Sequence, residues 1–573
     1  MEQRNLIIAA VLAALIIFGY PYLLALLGVE IQPPAPPPPA EVAQPTDTAP
    51  ALPETPAAAF TDRETALAQT ARVKIDSPRI KGSIALKGGR IDDVVLVDYH
   101  TTVEESSPNI VLLSPAGTRE AYYADFGWLA AGGVTVPGPE TVWEADSDTL
   151  TPDRPVTLTW ENDQGLRFSQ TIALDRDFMF EITQKVENTG EAPIELFPYA
   201  LVSRSGMPPT AGLFILHEGM IGVLGGTLKE TEYDELREEG QQIYDSTGGW
   251  LGITDKYWLV ALVPDQSAEI KARFTHVLQG TTDKFQTDYR NSAVTVAPGA
   301  SAETTGRLFA GAKEVRLLDR YRDELGIPLF DRAVDFAGYL GYPLTLIAKP
   351  IFYLLDYIYQ LVGNFGVAIL LLTVLVKLAF FPLANKSYRA MSKMKLLTPE
   401  LTKLRERYQN DKVKLNQEMM ALYKREKVNP AAGCLPILVQ IPVFIALYQV
   451  LFVTIEMRHA PFFGWIKDLS APDPTSILNF FGLAPWDVPD LGPLQVVSIG
   501  VWPIVMGLTM WAQQKLNPAP PDPVQARIFM MLPIIFTFML GHFAAGLVIY
   551  WAWNNVLSIA QQRLIMWRMG VKP

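Results

Sequence analysis

The chain has 573 residues, of which 49% are hydrophobic and 19% are charged, and its formal net charge is −12. A chain of this length exceeds what one hydrophobic core usually serves, so we expect at least two structural units. The apolar residues collect in long runs near both ends, which excludes a purely soluble protein and indicates membrane spans.

The first predicted element is a membrane anchor at residues 1–28. Its apolar run, residues 6–27, has about the 20 residues that a helix needs to cross the hydrocarbon core. A cleaved signal peptide is the alternative, but its apolar core would be shorter, and no small-x-small cleavage site precedes Glu30. Proline and alanine dominate residues 29–59, which predicts an extended linker.

Residues 60–325 show the two-residue alternation of β-strands, with frequent turns between them. Val156, Leu158 and Trp160 alternate with polar residues before a polar turn at residues 161–165, and a second alternating run follows that turn. Many short strands without intervening helices favour a large all-β sandwich.

From residue 331 the hydrophobic period becomes helical. Residues 331–361 are rich in aromatic side chains and place Ile351, Leu355 and Ile358 on one face, which predicts an amphipathic helix at the membrane interface. Residues 362–383 form the second predicted span.

Lysine and arginine are concentrated in residues 384–432, and the positive-inside rule therefore places this segment in the cytoplasm. Thr398 followed by Pro399 is a typical helix start, and the polar residues 409–411 separate two helices. We predict a basic helical hairpin. Its inner face is predicted to consist of Leu415, Met419, Leu422 and Tyr423.

Further apolar runs complete a predicted bundle of six spans. They lie at 433–455, 494–516, 528–541 and 544–567, with a long loop at 456–493 and a short one at 517–527. With the hairpin inside, both termini are cytoplasmic, while the β-sandwich and the long loop are periplasmic. Trp465 and Trp486 of that loop are predicted interface anchors.

Lys377 is the most informative polar residue of the chain. It lies in the second predicted span, roughly 13 Å from Lys386 along a helix that rises about 1.5 Å per residue. An ammonium left in hydrocarbon costs at least ~2.5 kcal/mol, so such residues usually face a bundle interior or a water-filled cavity. The alternative is a lysine that snorkels to the inner headgroups.

Other polar side chains occur in the later spans. They are Gln440, Gln449, Gln513, Gln514, His542, Asn554 and Asn555. If these converge with Thr373 and Lys377, they line a hydrated pocket within the membrane. Taken singly, each is more often a contact between helices.

The sequence carries no nucleotide-binding, metalloprotease or serine-hydrolase motif, so we expect no enzyme activity and no cofactor. The single cysteine, Cys434, excludes an intramolecular disulfide, and the scattered histidines predict no metal site. His217 and Glu218 suggest a sugar-binding protein or enzyme as an alternative, without an identifiable catalytic partner. The intramembrane charge suggests a transporter or channel, but no inverted repeat supports it.

Several motifs together resemble one family. They are GNFG at 363–366, FPL at 381–383, QEMMALYK at 417–424, VNP at 428–430, GCLP at 433–436, QIPVFIALY at 440–448 and SAPDP at 470–474. These residues are similar to the YidC, Oxa and Alb family of insertases over about residues 330–567. The outer sandwich and the anchor resemble the Gram-negative YidC form, whose periplasmic domain is a β-supersandwich.

The resemblance implies a five-helix core around a hydrophilic groove that is open to cytoplasm and lipid and closed on the periplasmic side. A positive residue of the groove, usually arginine, receives polar or acidic substrate segments, and this chain has Lys377 there. A lysine keeps the charge but loses bidentate pairing. The other implied groove residues are Thr373, Gln440, Tyr550, Trp551 and Asn554, and the implied hydrophobic slide consists of Pro436, Leu438, Ile441, Pro442, Phe529, Met530 and Pro533.

The implied function is insertion and assisted folding of inner-membrane proteins, alone for small substrates and with the Sec translocon and its accessory subunits for larger ones. Without a bound energy source, the substrate's apolar segment partitions into lipid to drive insertion. The expected partners are nascent membrane proteins, the phospholipid bilayer and the ribosome, with no direct contact to nucleic acid. Only residues 568–573 follow the last predicted span, so ribosome contact is expected either to rest on the basic hairpin or to be weak.

Overall fold

A β-rich region is followed along the chain by a helical region. The computed structural model describes residues 60–131, 133–210, 216–338, 341–408, 411–426, 428, 435–486, 488, 492–517 and 523–570. The predicted anchor at 1–28 and linker at 29–59 lie outside the described residues.

The β-rich region begins with a short helix, α1 (Arg63–Ala68), and contains a second, α2 (Tyr233–Glu239). Its first ten strands are β1 (Arg72–Asp76), β2 (Ile80–Ala85), β3 (Ile91–His100), β4 (Asn109–Leu113), β5 (Tyr122–Ala130), β6 (Glu144–Ala145), β7 (Thr149–Leu150), β8 (Val156–Glu161), β9 (Leu166–Leu174) and β10 (Met179–Asn188). The others are β11 (Ile194–Ser205), β12 (Gly219–Leu224), β13 (Thr227–Glu232), β14 (Gln241–Thr247), β15 (Trp250–Thr254), β16 (Trp258–Val263), β17 (Glu269–Gln279), β18 (Thr282–Asn291), β19 (Val294–Val296) and β20 (Ser301–Ala312).

Among the described residues these strands form two sheets. Eleven strands form one sheet in the order β14-β17-β18-β11-β5-β3-β2-β1-β7, with β4 beside β3 and β19 beside β11, and nine form the other in the order β13-β12-β15-β16-β20-β10-β9-β8-β6. The alternating run at Val156 pairs antiparallel with β9, with Leu158 opposite Gln170. Phe168, Phe180 and Phe285 are fully buried in the core. The predicted all-β sandwich is confirmed.

The helical region follows β20. Its helices are α3 (Val315–Glu324), α4 (Tyr342–Val362), α5 (Phe365–Ala379), α6 (Phe381–Leu396), α7 (Thr398–Arg407), α8 (Lys412–Arg425), α9 (Leu435–Val453), α10 (Val501–Leu516), α11 (Pro523–Leu540) and α12 (Ala545–Arg568). Short 3₁₀ turns lie at Phe330–Ala333, Ile455–Met457, Ile477–Gly482 and Gly492–Val497.

Helix α4 begins later than the predicted residue 331, because Gly341 adopts a left-handed φ of 71° that a continuous helix does not allow. One side of α4 buries Phe352 in the core. Another side is bonded to α3 and to the 3₁₀ turn Phe330–Ala333, since Lys349 Nζ lies 2.7 Å from Asp319 and 2.6 Å from Asp331. The predicted interfacial helix is therefore attached to its neighbours on two sides.

The second predicted span, residues 362–383, is not one continuous helix. Helix α5 ends at Ala379, and α6 continues at an angle of 70° after Phe380. Pro382 lies in the first turn of α6, where its missing N–H and fixed φ suit a helix start and prevent a straight continuation. The fourth predicted span also starts late, since α10 begins at Val501.

Within the described part of the chain, no single helix combines the length and apolarity that crossing a bilayer requires, although the bent pair α5 and α6 does so jointly. Two shorter apolar helical stretches are Gln440–Val453 and Ala526–Leu540.

The predicted hairpin corresponds to α7 and α8. Helix α7 begins at Thr398 as predicted, and the Asp411 side chain caps α8 by accepting from Lys414 N at 2.9 Å. The two helices bury Leu422 and Tyr423 together with residues of α6 and α7. Most of their basic side chains remain exposed.

The β-sandwich rests on the carboxyl end of α9. The Lys256 ammonium lies 3.6 Å from the centre of the Phe452 ring, and Arg458 Nη2 donates to the His100 carbonyl at 2.6 Å. The basic hairpin instead precedes the amino end of α9. Along the chain, the hairpin thus precedes α9, and the contacts with the sandwich lie at its carboxyl end.

A candidate substrate site around Lys377

Lys377 lies in the last turn of α5, close to the bend into α6. Asn364 caps the start of α5 by accepting from Val367 N at 3.0 Å, and the helix packs against α12. The Lys377 ammonium donates to Ser558 Oγ of α12 at 2.6 Å. The site is thus built between α5 and α12.

Ser558 connects three helices. Its hydroxyl donates to the Asn554 carbonyl one turn earlier, at 2.8 Å, and its side chain lies beside Tyr388 of α6. A serine beside a lysine is also the nucleophile pair of some hydrolases. Here the serine proton is engaged by Asn554 and its oxygen accepts from Lys377, so the pair holds an ammonium in place.

The charge of Lys377 has no acidic partner. Among the residues that the structure describes, no carboxylate lies within ion-pair distance of its ammonium, which is instead bonded to a neutral hydroxyl. Lys349, by contrast, is bonded to two carboxylates. A half-buried cation without a counter-ion attracts an anionic or strongly polar group.

The other predicted groove residues lie at different depths. Thr373 is buried one turn before Lys377, and its hydroxyl donates to the Ile369 carbonyl of its own helix at 2.6 Å. Gln440 is half-buried near the start of α9. Asn554 is half-buried beside Ser558.

Tyr550 and Trp551 lie further from Lys377, towards the start of α12. Phe444 of α9 contacts both, with ring centres 6.4 Å from Tyr550 and 4.6 Å from Trp551. Phe536 of α11 lies 6.2 Å from Trp551. These rings join α9, α11 and α12 into an aromatic layer beyond the polar site.

Several polar residues of the later spans do not join Lys377. Gln449 donates to the Asp335 carbonyl at 2.6 Å, at the sandwich end of α9, and Asn555 donates to Thr509 Oγ1 at 3.2 Å. Gln514 donates to the Phe529 carbonyl. These three side chains bond neighbouring elements to one another instead of Lys377.

The predicted slide residues divide between two faces. Ile441 and Met530 are exposed on α9 and α11, whereas Pro533 is buried and Phe529 is half-buried. Pro442 is exposed. The side chains of Pro436 and Leu438 lie outside the described part of the structure.

Sequence reasoning missed Ser558 and Tyr388. The sequence signal for Ser558 is that the polar residues Asn554, Ser558 and Gln562 occur every four residues. This spacing places their side chains along one face of the helix. No local signal identifies Tyr388, because its contact depends on the bend between α5 and α6.

Two family models together match nearly the whole described part of the chain. The family model described as "60Kd inner membrane protein" matches residues 357–572, and "YidC periplasmic domain" matches residues 72–354. "Membrane protein insertase YidC" of Methylorubrum extorquens (strain PA1) is 56% identical, covering 89% of this chain and 83% of that protein. The Bradyrhizobium diazoefficiens protein of the same name is 50% identical, covering 100% of this chain and 97% of its own.

Among solved structures, "Active YidC insertase crystal structure with the first transmembrane domain resolved" matches with a TM-score of 0.35 and 16% identity, covering 86% of this chain and 92% of that one. The two family models and the identities of 50% and 56% over most of each chain establish the relationship. The chain belongs to the YidC family of inner-membrane insertases, which carry a periplasmic β-domain.

Proposed function

We propose that this protein inserts hydrophobic segments of nascent membrane proteins into the inner membrane and helps them to fold, and that Lys377 receives their polar or acidic parts. The bond of Lys377 to a hydroxyl in place of a carboxylate carries the proposal, because it leaves the positive charge available. At ~4 Å and an effective dielectric near 20, an ammonium attracts a carboxylate by about 4 kcal/mol before desolvation costs.

Helices α5 and α9–α12 form the proposed five-helix core. The groove is proposed to open to cytoplasm and lipid near Lys377, and to be closed on the periplasmic side. Two observations support this direction. Lys377 lies at the end of α5 that leads into the basic hairpin, and the sandwich contacts the far end of α9 through Lys256 and Phe452.

The proposed orientation has six spans, cytoplasmic termini and a periplasmic sandwich. The place of the hairpin before α9 in the chain and the sandwich contact at the carboxyl end of α9 support it, since a helix of 19 residues is about 28 Å long and close to the thickness of a hydrocarbon core. The basic hairpin is the proposed ribosome contact. The Sec translocon and its accessory subunits are proposed partners for large substrates.

The driving force is proposed to be transfer of the substrate's apolar segment from water to lipid. Exposed apolar side chains of α9 and α11, including Ile441, Met530 and Ile534, support a slide along which the segment leaves the groove. These exposed apolar side chains can contact an incoming apolar helix as readily as they contact lipid.

The test compares Lys377→Arg, Lys377→Ala and Lys377→Glu in cells depleted of the native insertase. Insertion of a reporter with an acidic translocated tail should decline in that order. We expect about a tenfold loss for alanine, because a net attraction of ~1.4 kcal/mol corresponds to a factor of ten. A reporter with a neutral tail should change much less.

Lys515→Ala is the matched control, since it removes an exposed lysine at the end of α10. It should leave both reporters unaffected. If Lys377 only snorkels to headgroups, its alanine variant behaves like this control. Equal insertion of the acidic reporter by Lys377→Ala and by the parent at matched expression would show that Lys377 is not the charge receptor.

A further inference from the structure

The long loop between α9 and α10 is held against the ends of the helices. We call residues 474–486 the outer loop tip. At its base, Ile477 N donates to the Ile499 carbonyl just before α10, at 2.9 Å. The neighbouring Ala471 carbonyl accepts from Ala545 N, the first residue of α12, at 2.7 Å. The tip therefore starts at the level where α10 and α12 begin.

This level is far from Lys377 along the bundle axis. Ser558, the partner of Lys377, is separated from Ala545 by about 20 Å of α12 at roughly 1.5 Å per residue. The outer loop tip thus lies at the end of the helices opposite the candidate site.

The outer loop tip has no charged residue between Asp473 and Asp487. Its large apolar side chains are nevertheless exposed, with Phe480 63%, Leu483 89% and Trp486 52% accessible. Large exposed apolar side chains collected in one loop mark a contact with another apolar phase rather than with water.

The polar groups of the tip are bonded within the loop. Phe480 and Phe481 have left-handed φ angles of 51° and 61°, which non-glycine residues adopt only when their surroundings hold them there. Phe481 N donates to the Ser476 carbonyl at 2.7 Å, and Trp486 Nε1 donates to the Leu478 carbonyl at 3.1 Å. With these groups paired, the rings can enter a lipid interface at lower cost.

We propose that the outer loop tip inserts into the outer leaflet of the inner membrane and anchors the closed end of the helical core there. The inference rests on the proposed spans. Lipid is the favoured occupant, because the tip and the residues just before it are bonded to the starts of α10 and α12, and because α10 also exposes Leu508 and Trp511. Phenylalanine, leucine and tryptophan without charges suit this interface.

The test uses spin labels on the full-length protein in vesicles of phosphatidylethanolamine and phosphatidylglycerol. Cys434→Ser removes the single native cysteine, and Leu483→Cys carries the label at a position where little packing is lost. Ile477→Cys is a second reporter, Leu508→Cys is the lipid control and Glu191→Cys is the water control. Accessibility to oxygen and to a nickel chelate is measured for each.

Labels at Leu483 and Ile477 are expected to resemble the one at Leu508, with accessibility to oxygen several-fold above that to the nickel chelate. Resemblance to Glu191 would overturn the proposal. Protection from both reagents would also overturn it, since a protein surface or a second copy would then cover the tip. If Leu508 itself resembles Glu191, the span assignment of α10 fails, and the proposed topology fails with it.

Discussion

Replacement of Glu456 by glutamine is expected to stabilise the junction between the β-sandwich and the helices at neutral and alkaline pH. Glu456 follows α9 in the turn Ile455–Met457, and its Oε1 accepts from Val315 N at 2.9 Å. Its Oε2 is buried without a hydrogen-bond partner in the described residues. The cavity beside it has a volume of about 360 Å³ and is lined by Tyr99, Glu314, Arg316, Phe352, Asp356, Ile455 and Arg458.

Burial, with the nearby carboxylates Glu314 and Asp356 adding to it, raises the pKa of Glu456 from 4.5 to about 8. The folded protein therefore binds this proton more tightly than the unfolded chain. The stability that the proton provides is complete below about pH 4.5 and is lost as the pH rises towards 8.

The size of this pH effect follows from the shift. At about 1.4 kcal/mol per pKa unit the full shift corresponds to about 5 kcal/mol, and partial exposure of the side chain reduces our expectation to about 2 kcal/mol. Glutamine cannot ionise, and its carbonyl can still accept from Val315 N. The Glu456→Gln variant should therefore lose less stability than the parent between pH 5 and pH 8.

The assay is thermal unfolding of the purified full-length protein at pH 5, 6.5 and 8, followed by near-ultraviolet circular dichroism. A difference of about 2 kcal/mol corresponds to roughly 4–8 °C in Tm for a domain of this size. Glu104→Gln, at an exposed site of the sandwich, should follow the parent. If the curves of parent and Glu456→Gln fall in parallel from pH 5 to pH 8, Glu456 is not the titrating group.

A photoreactive residue at exposed Met530 should crosslink to an inserting substrate, whereas one at buried Pro533 should not, and the reverse pattern would contradict the proposed slide. Phe168→Ala removes a fully buried ring of the sandwich and should cost about 3–5 kcal/mol of unfolding free energy, measured by denaturant titration. In inverted vesicles, which expose the cytoplasmic face, protease should cleave within residues 384–432. Leu422→Ala, which opens the hairpin core, should accelerate this cleavage. Complete protection would show that the hairpin is not on the cytoplasmic face.

The local patterns of the sequence determined the classes of element in this protein. Alternating apolar residues at Val156 to Trp160 specify a half-buried strand because side chains of a strand point to opposite faces. Thr398 and Pro399 specify a helix start through local backbone chemistry alone. The position of Lys377 inside an apolar run identified it as a candidate site, since a charged side chain is costly in hydrocarbon and usually occurs there because it has a function.

Only the tertiary structure decided what Lys377 contacts. Ser558 is remote in sequence, and its bond to Lys377 depends on how α12 packs against α5. The same applies to the bend at Phe380, which brings Tyr388 to Ser558, and to Gln449, which bonds to the sandwich junction instead of the groove. Such contacts are set by the packing of whole helices, so the pattern of any one segment does not contain them.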